Sequence, residues 1–464
     1  MTDRRQSVCD NARYLREVRP IDPEEIWEYV DGQPHPAVVR QILRESVVEL
    51  GVRERDDGTF VPVDEEPLSV TFAGVESFPF EYGTVLEELL VEAYGRGWPD
   101  GESGDSLRET IRGMKTEYFA GETVEYDREM ALAYALYHLP DNYAVVQYVL
   151  SLLAEDELLP TQLRILDVGA GVGGPMLGLH DLLPDDVLVE YHAVEPSSAA
   201  ADVFETFADE TRTGFETTLH RETAEAFTPD GVFDVVLFAN VLSELANPDA
   251  VAARYMPSVA PDGSLVGIAP ADREAAIGLR ETERALEREG YGVWGPQVRL
   301  WEHTHPTDRG WSFDVRSDLD VPAFQQALDA AAGREGEFVN VDVQYAFSVI
   351  RHDDAQMVNI SLDTERFARF ADSESHVSNR VDCVALKLSH DLSDGGNPLF
   401  KMSDGSESTD HYAVLTRESM LNVDLSRADY GDPLVFENVL LLWNDDEESY
   451  NLVVDDETVV DRAG

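Results

Sequence analysis

A turn almost without side chains sits mid-chain: Asp167-Val168-Gly169-Ala170-Gly171-Val172-Gly173-Gly174, directly after the apolar stretch 163–166 (LRIL). Glycine takes positive φ freely, where a residue with a side chain loses ~1–2 kcal/mol. Between a strand and a helix, such a turn brings backbone N–H groups and a helix N-terminus against a polar or anionic ligand. Its surroundings narrow the folds that can hold it. Residues 187–196 (VLVEYHAVEP), 233–241 (FDVVLFANV) and 263–270 (GSLVGIAP) are apolar and strand-like, and helical patterns lie near 175–183 and 198–209. Strands alternating with helices at this spacing predict a parallel α/β sheet with right-handed crossovers.

The glycine spacing alone satisfies both GxGxG and GxGxxG, which leaves a dinucleotide-type Rossmann site open. Two carboxylates tip the balance. Asp167, two residues before the first glycine, can accept from a ligand ammonium or position a water near it, and it would repel a pyrophosphate. Glu195 closes the second strand, where its two oxygens offer paired acceptors for ribose hydroxyls. S-adenosylmethionine carries an ammonium, a carboxylate and a ribose but no phosphate, so it suits this pair better than NAD. A turn kept only for tight strand–helix packing is the remaining reading.

The flanks differ in character. In the first 65 residues, Pro36 opens a helix with Val39, Ile42, Leu43, Val47 and Leu50 at helical spacing, and Gly51 closes it. Asp57-Gly58 then marks a two-residue turn within 52–63. Helices and a β-wing predict a winged-helix-like module over 1–65, which can bind nucleic acid or protein or serve only as a packing subdomain. A helical layer is expected over 66–155, with helices at 83–98 and 107–115 and two more in 127–154, separated by Leu139-Pro140-Asp141. The α/β domain spans 156–354, and a linker covers 355–375. Over 376–464 five short strands with turns at Asp404-Gly405 and Asn444-Asp445 predict a small closed β-barrel of OB type. In that barrel Lys387, Phe400, Lys401 and Tyr412 are candidates to meet single-stranded nucleic acid, with core packing as the alternative for the aromatic ones.

DVGAGVGG, AVEPS and FDVVLFANVLSEL together resemble the class I methyltransferase fold. The fuller pattern resembles the methyltransferase-like family of mitochondrial small-subunit ribosome-assembly factors and its prokaryotic relatives. It is carried by YHLPDNYAVVQYVLSLL (137–153), FANVLSELANP (238–248), IAP (268–270) and FVNVDVQYAFSVIRHD (338–353), and covers about 115–353. The resemblance implies S-adenosylmethionine as cofactor, with Gly169, Gly171 and Gly173 at its methionine end. It places Glu195 on the ribose, Glu222 near the adenine, and Asn240 and Val241 beside the methyl group. Asp167, Ala170 and Pro196 complete the cofactor-binding set. It also implies the small ribosomal subunit and its RNA as partner.

The chain departs from that family in one respect. The mitochondrial members hold an iron–sulfur cluster on cysteines in the stretch corresponding to 295–316, which here contains none; His303 and His305 alone make a weak metal site, so no metal is expected. The Asp/Asn-Pro-Pro-aromatic motif of N-methylating enzymes is absent after FAN, and no cysteine stands there as a nucleophile. Ser243 and Glu244 suit helix capping as well as catalysis. No catalytic base identifies itself.

Net charge is −57, from 92 acidic and 35 basic residues, and Lys115, Lys387 and Lys401 are the only lysines. Acids spread along the whole length point to a surface adapted to high salt, where screening removes self-repulsion. Cys9 and Cys383 form no disulfide framework, and no signal peptide or ~18-residue apolar run is present, so a cytoplasmic protein is expected. The expected function is S-adenosylmethionine-dependent action on the small ribosomal subunit, through rRNA methylation or assembly. The alternatives are a non-catalytic, cofactor-holding assembly factor and a small-molecule methyltransferase.

Overall fold

The computed structural model describes residues 2–63, 66–120, 127–301, 304–307, 311–360 and 366–463. The chain opens with α1 (Thr2–Arg16), α2 (Pro23–Ile26), α3 (Pro36–Arg44) and α4 (Val47–Leu50), then the hairpin β1 (Val52–Glu54) and β2 (Phe60–Pro62). The single helix expected from Pro36 is two. Ser46 interrupts it, fully buried with its hydroxyl accepting from Arg5 Nε at 3.2 Å, and Gly51 ends α4 at φ +62°. Next come α5 (Phe80–Tyr94), α6 (Gly101–Ala120) and α7 (Arg128–Glu155).

Two helices were expected in the region of α7; the structure has one helix of 28 residues with Pro140 inside it. Proline at 140 cannot donate to the carbonyl of Leu136, which normally ends a helix. Here Gln325 supplies the missing donor, its Nε2 lying 2.9 Å from Leu136 O, and Asn340 Nδ2 donates to Tyr137 O at 3.0 Å. A segment from far along the chain thus satisfies the break and keeps the helix whole.

The α/β sheet and its helices follow as β3 (Gln162–Val168), α8 (Gly174–Leu182), β4 (Leu188–Val194), α9 (Ser198–Ala208), β5 (Phe215–His220), β6 (Phe233–Ala239), α10 (Pro248–Tyr255), β7 (Val259–Pro270), α11 (Arg273–Arg288), β8 (Gly292–Gly295), β9 (Asp314–Val315), α12 (Ala323–Asp329) and β10 (Gln344–Arg351). The strand order is β5-β4-β3-β6-β7-β10-β8, with β9 pairing β10. The pairs β5–β4, β4–β3 and β3–β6 are parallel, while β10 runs antiparallel to β7, β8 and β9. This is a Rossmann-like sheet of methyltransferase type.

The chain divides into two compact units, Met1–Leu237 with Asp318–Asp342, and Phe238–Ser317 with Val343–Gly464. In the first, Val8, Val39, Leu43, Leu50, Val52 and Phe60 form one apolar cluster that also takes in Leu188 of β4. The second ends in β11 (Arg380–Lys387), β12 (Leu399–Ser403), β13 (His411–Leu415), α13 (Asp424–Arg427), β14 (Pro433–Asn444), β15 (Ser449–Val454) and β16 (Val459–Arg462). Strands β11-β12-β13-β15-β14 close into a barrel through the β11–β14 pairing, β13 and β15 run parallel, and β16 adds to β14. Five closed strands with the third and fifth parallel have the OB arrangement. Phe370, Phe400, Met402, Phe436, Leu441 and Leu452 lie in its core.

Candidate functional site

The glycine turn has the backbone its composition demands. Gly169, Gly171 and Gly173 have φ of +81°, +55° and +95°. Gly169 N and Ala170 N donate to Val194 O at 2.8 and 3.1 Å, which ties the turn to the end of β4. Three of its glycines matter for different reasons. A Cβ at Gly171 would meet nothing within 4 Å among the described residues, so they leave open space at that point of the turn. A Cβ at Gly173 would come within 3.1 Å of the Phe204 ring. At Gly174 it would lie 2.8 Å from Asn142 Cβ and 3.4 Å from Leu139 O, so the proline-containing turn of α7 rests directly on the start of α8.

Asp167, the last residue but one of β3, is fully buried. One carboxylate oxygen accepts from Tyr191 OH at 2.6 Å; the other, Oδ1, has no hydrogen-bond partner among the described residues. Burial, reinforced by the nearby Glu195 carboxylate, pushes its pKa up to about 7 against the relief given by Tyr191. Desolvation raises Glu195 also, and two backbone donors oppose the rise: Ser197 N to Oε1 at 2.7 Å and Gly171 N to Oε2 at 2.9 Å. Those bonds fix the carboxylate across the mouth of the turn. Each oxygen keeps a lone-pair site, because a carboxylate offers about four.

The structure brings together Asp167, Gly169, Ala170, Gly171, Gly173 and Glu195. Pro196 is exposed beside Glu195, and Glu222 is exposed past the end of β5. Asn240 and Val241 follow β6 in the second unit; Asn240 sits at φ +60°, and its N–H donates to Ile268 O at 2.9 Å. Sequence reasoning missed Tyr191, whose hydroxyl bonds Asp167, and Asn142, which touches the turn. Tyr191 lies opposite Ile165 in the β3–β4 register, so only the strand pairing could have revealed it. His303 lies outside the described residues, and His305 is exposed.

In the barrel, the candidate nucleic-acid contacts need correction. Lys387 is buried, donates to Ala428 O at 2.7 Å and lies 4.4 Å from the Phe400 ring centroid. Lys401 is buried and paired with Asp410, and Phe400 is core. Of the four, only Tyr412 is half-buried. The Lys387 stem lies inside the barrel against Phe400, opposite Met402, whereas Lys401 alternates with those two residues on the other face of β12, beside Tyr412 and Asp410. The exposed aromatic is Trp443, 4.8 Å edge-to-face from Tyr450.

Residues 166–265 match the model of a methyltransferase domain. Residues 5–56 and 371–463 match the N-terminal and C-terminal domains of a domain of unknown function, DUF8157. Among curated proteins none matches. Similar solved structures include a SAM-dependent methyltransferase from Aquifex aeolicus, 16% identical over 36% of this chain and 90% of that one, with a TM-score of 0.28. A putative methyltransferase from Thermoplasma acidophilum is 13% identical over 42% and 70%, with a TM-score of 0.29. The plantazolicin methyltransferase BpumL, in complex with SAH and a substrate analogue, is 13% identical over 59% and 99%, with a TM-score of 0.30.

Residues 166–265 thus match a methyltransferase domain, and the cofactor such a domain implies is S-adenosylmethionine. The residues fit that group. The unpartnered Oδ1 of Asp167 is a buried acceptor for an ammonium, the open face of Gly171 leaves room, and Glu195 offers paired acceptors to a diol.

Proposed function

We propose that this chain transfers a methyl group from S-adenosylmethionine to RNA of the small ribosomal subunit. Asp167 would hold the ammonium, Glu195 the ribose hydroxyls, and the amides of 169–173 the polar edge of the methionine moiety, with Pro196 and Glu222 towards the adenine and Asn240 and Val241 towards the methyl group. The bound cofactor supplies an electrophilic methyl carbon on a sulfonium; the chain's own work is to orient the acceptor and exclude water.

The observation that carries the RNA reading is the closed β11-β12-β13-β15-β14 barrel with its parallel β13–β15 pair, an arrangement used widely for single-stranded nucleic acid. Buried lysines remove basic contacts from that argument, so recognition rests on stacking and shape. The exposed Trp443 and the half-buried Tyr450 supply the aromatic surface. A net charge of −57 is compatible with this in molar salt, where counterion release contributes little to any RNA complex. The small ribosomal subunit enters through the motifs at 137–153, 238–248 and 338–353.

The test is transfer of labelled methyl groups in molar KCl to small-subunit RNA from a strain lacking this chain. Label on RNA, together with co-sedimentation of the chain with small-subunit precursors, is the expected result. Co-sedimentation without label would indicate a non-catalytic assembly factor. Cofactor binding with neither would leave a small-molecule methyltransferase.

A further inference from the structure

We propose that His138, held by Asp141 and Asn340, accepts the proton that the methyl acceptor loses; this rests on the methyltransferase reading above. The sequence around Pro140 has a specific consequence in three dimensions. Tyr134, His138 and Asn142 recur every four residues and so share one face of α7. The lower end of that face lies on the glycine turn, with Asn142 Cβ against Gly174. Asn142 Nδ2 donates to Tyr134 OH at 3.1 Å, and the Tyr134 and His138 rings are 5.0 Å apart. His138 is therefore within about one helical turn of the cofactor loop.

Its orientation is over-determined. Nδ1 lies 3.1 Å from Asp141 Oδ2. Asn340 Nδ2 places its two hydrogens on Asp141 Oδ2 at 2.8 Å and Tyr137 O at 3.0 Å; its 3.3 Å approach to Nδ1 is the longest of the three. The other Asp141 oxygen accepts from Asn142 N at 2.8 Å. Both hydrogens of the Asn340 amide are thus committed elsewhere, and a carboxylate faces Nδ1, so Nδ1 carries the proton and Nε2 the lone pair. Among the described residues nothing hydrogen-bonds Nε2, and about a third of the side chain is exposed. Lys115 Nζ is the nearby cation, 4.0 Å from the Tyr137 ring centroid and bonded to Glu337 O at 3.0 Å.

His138 is braced from behind by a carboxylate and an amide and is open in front, the arrangement a general base needs. The substrate class follows: an acceptor atom that bears a hydrogen, a hydroxyl or an amine or amide nitrogen. The acceptor forms its bond to the methyl carbon, the methyl–sulfur bond breaks with its electron pair left on sulfur, and the acceptor's proton passes to Nε2. Asp141 stabilises the imidazolium that results.

Four measurements on the full chain in molar KCl decide this. Calorimetry with S-adenosylhomocysteine tests the cofactor reading by itself: absence of binding defeats that reading, whatever His138 does. With binding established, diethyl pyrocarbonate should acylate His138 in the free chain, and saturating S-adenosylhomocysteine should slow this at least tenfold; an unchanged rate overturns the proposal. Labelled-methyl transfer to small-subunit RNA should fall between about 10²- and 10⁴-fold in His138→Asn, with S-adenosylhomocysteine affinity within twofold of wild type. Undiminished transfer in that variant overturns the proposal too. If the wild-type chain labels no RNA, the RNA reading fails and protection alone decides for His138. Asp141→Asn should move the imidazole proton to Nε2, visible in ¹⁵N shifts; a proton that stays on Nδ1 overturns the role given to Asp141.

Discussion

Asp167 carries the largest electrostatic tension in the cofactor loop, because a fully buried carboxylate keeps one oxygen without a partner. Its folded-state pKa of about 7 lies above the ordinary value near 3.8, so the fold favours the protonated form. The stability this contributes is complete below about pH 4 and is lost as the pH rises through 7. Asp167→Asn keeps the shape and removes the titration. We expect the cofactor-free variant to gain on wild type in urea unfolding as the pH rises from 4 to 7, with a constant gap above that. An ammonium partner reverses the preference. Binding of S-adenosylhomocysteine to wild type should therefore release protons near pH 7, seen in calorimetry as a dependence on buffer ionisation enthalpy. In the Asp167→Asn variant binding should weaken about 10- to 100-fold and lose that dependence, because a hydrogen bond to a charged group contributes roughly 1.5–3 kcal/mol. Unaltered affinity would remove Asp167 from the site. The placing of Asp167, the three glycines and Glu195 around one turn was legible in the sequence because it is local, set by spacing along one turn and one strand end. Tyr191 was not, since its hydroxyl reaches Asp167 only across paired strands.

Helix α7 shows why the helical layer was harder to read. Pro140 signals a break, and the residues that satisfy it, Gln325 and Asn340, lie 189 and 203 positions away from the carbonyls they take. No local pattern contains that information. Gln325→Ala should leave the Leu136 carbonyl buried and unpaired, at a cost of about 1–3 kcal/mol read as a lower urea midpoint, and should disorder the Asn340 contact with Asp141. The α7–α8 packing gives a sharper comparison. A Cβ at Gly178 would stand 2.2 Å from Tyr143 O and 2.5 Å from Val146 Cγ1, backbone and branched side chain that cannot step aside singly. Gly178→Ala should then destabilise by about 1–3 kcal/mol. Gly113, inside α6 with nothing within 4 Å of its Cβ position, should respond in the opposite sense, with Gly113→Ala stabilising by about 0.5–1 kcal/mol. Equal midpoints for the two variants would refute the close packing. In the barrel the five strands were readable as alternating segments, whereas β16 and the burial of Lys387 and Lys401 were not: a basic residue in a short strand reads as exposed until the folded barrel shows what covers it.

The whole chain has to fold against its own charge. With 92 acids and 35 bases, acids outnumber bases by 57, and the repulsion among carboxylates acts over the Debye length, ~8 Å at physiological salt and ~3 Å at 1 M. Salt also weakens attractions such as Arg5–Glu49 and Arg44–Glu54, but exposed pairs of that kind contribute only about 0–1 kcal/mol each. The Arg280–Glu283 pair, at 2.7 Å with both side chains fully buried, is insulated from bulk ions. Loss of repulsion therefore outweighs loss of attraction, and the sign of the salt effect is fixed: stability rises with KCl. We expect the urea midpoint to climb continuously from about 0.1 to 2 M KCl with an unchanged denaturant slope, urea being used because guanidinium is itself a salt. Sucrose, which strengthens burial without screening, provides the control. If it reproduces the whole KCl effect at matched osmolality, or if the midpoint is flat in KCl, the acidic surface is not what makes this fold depend on salt.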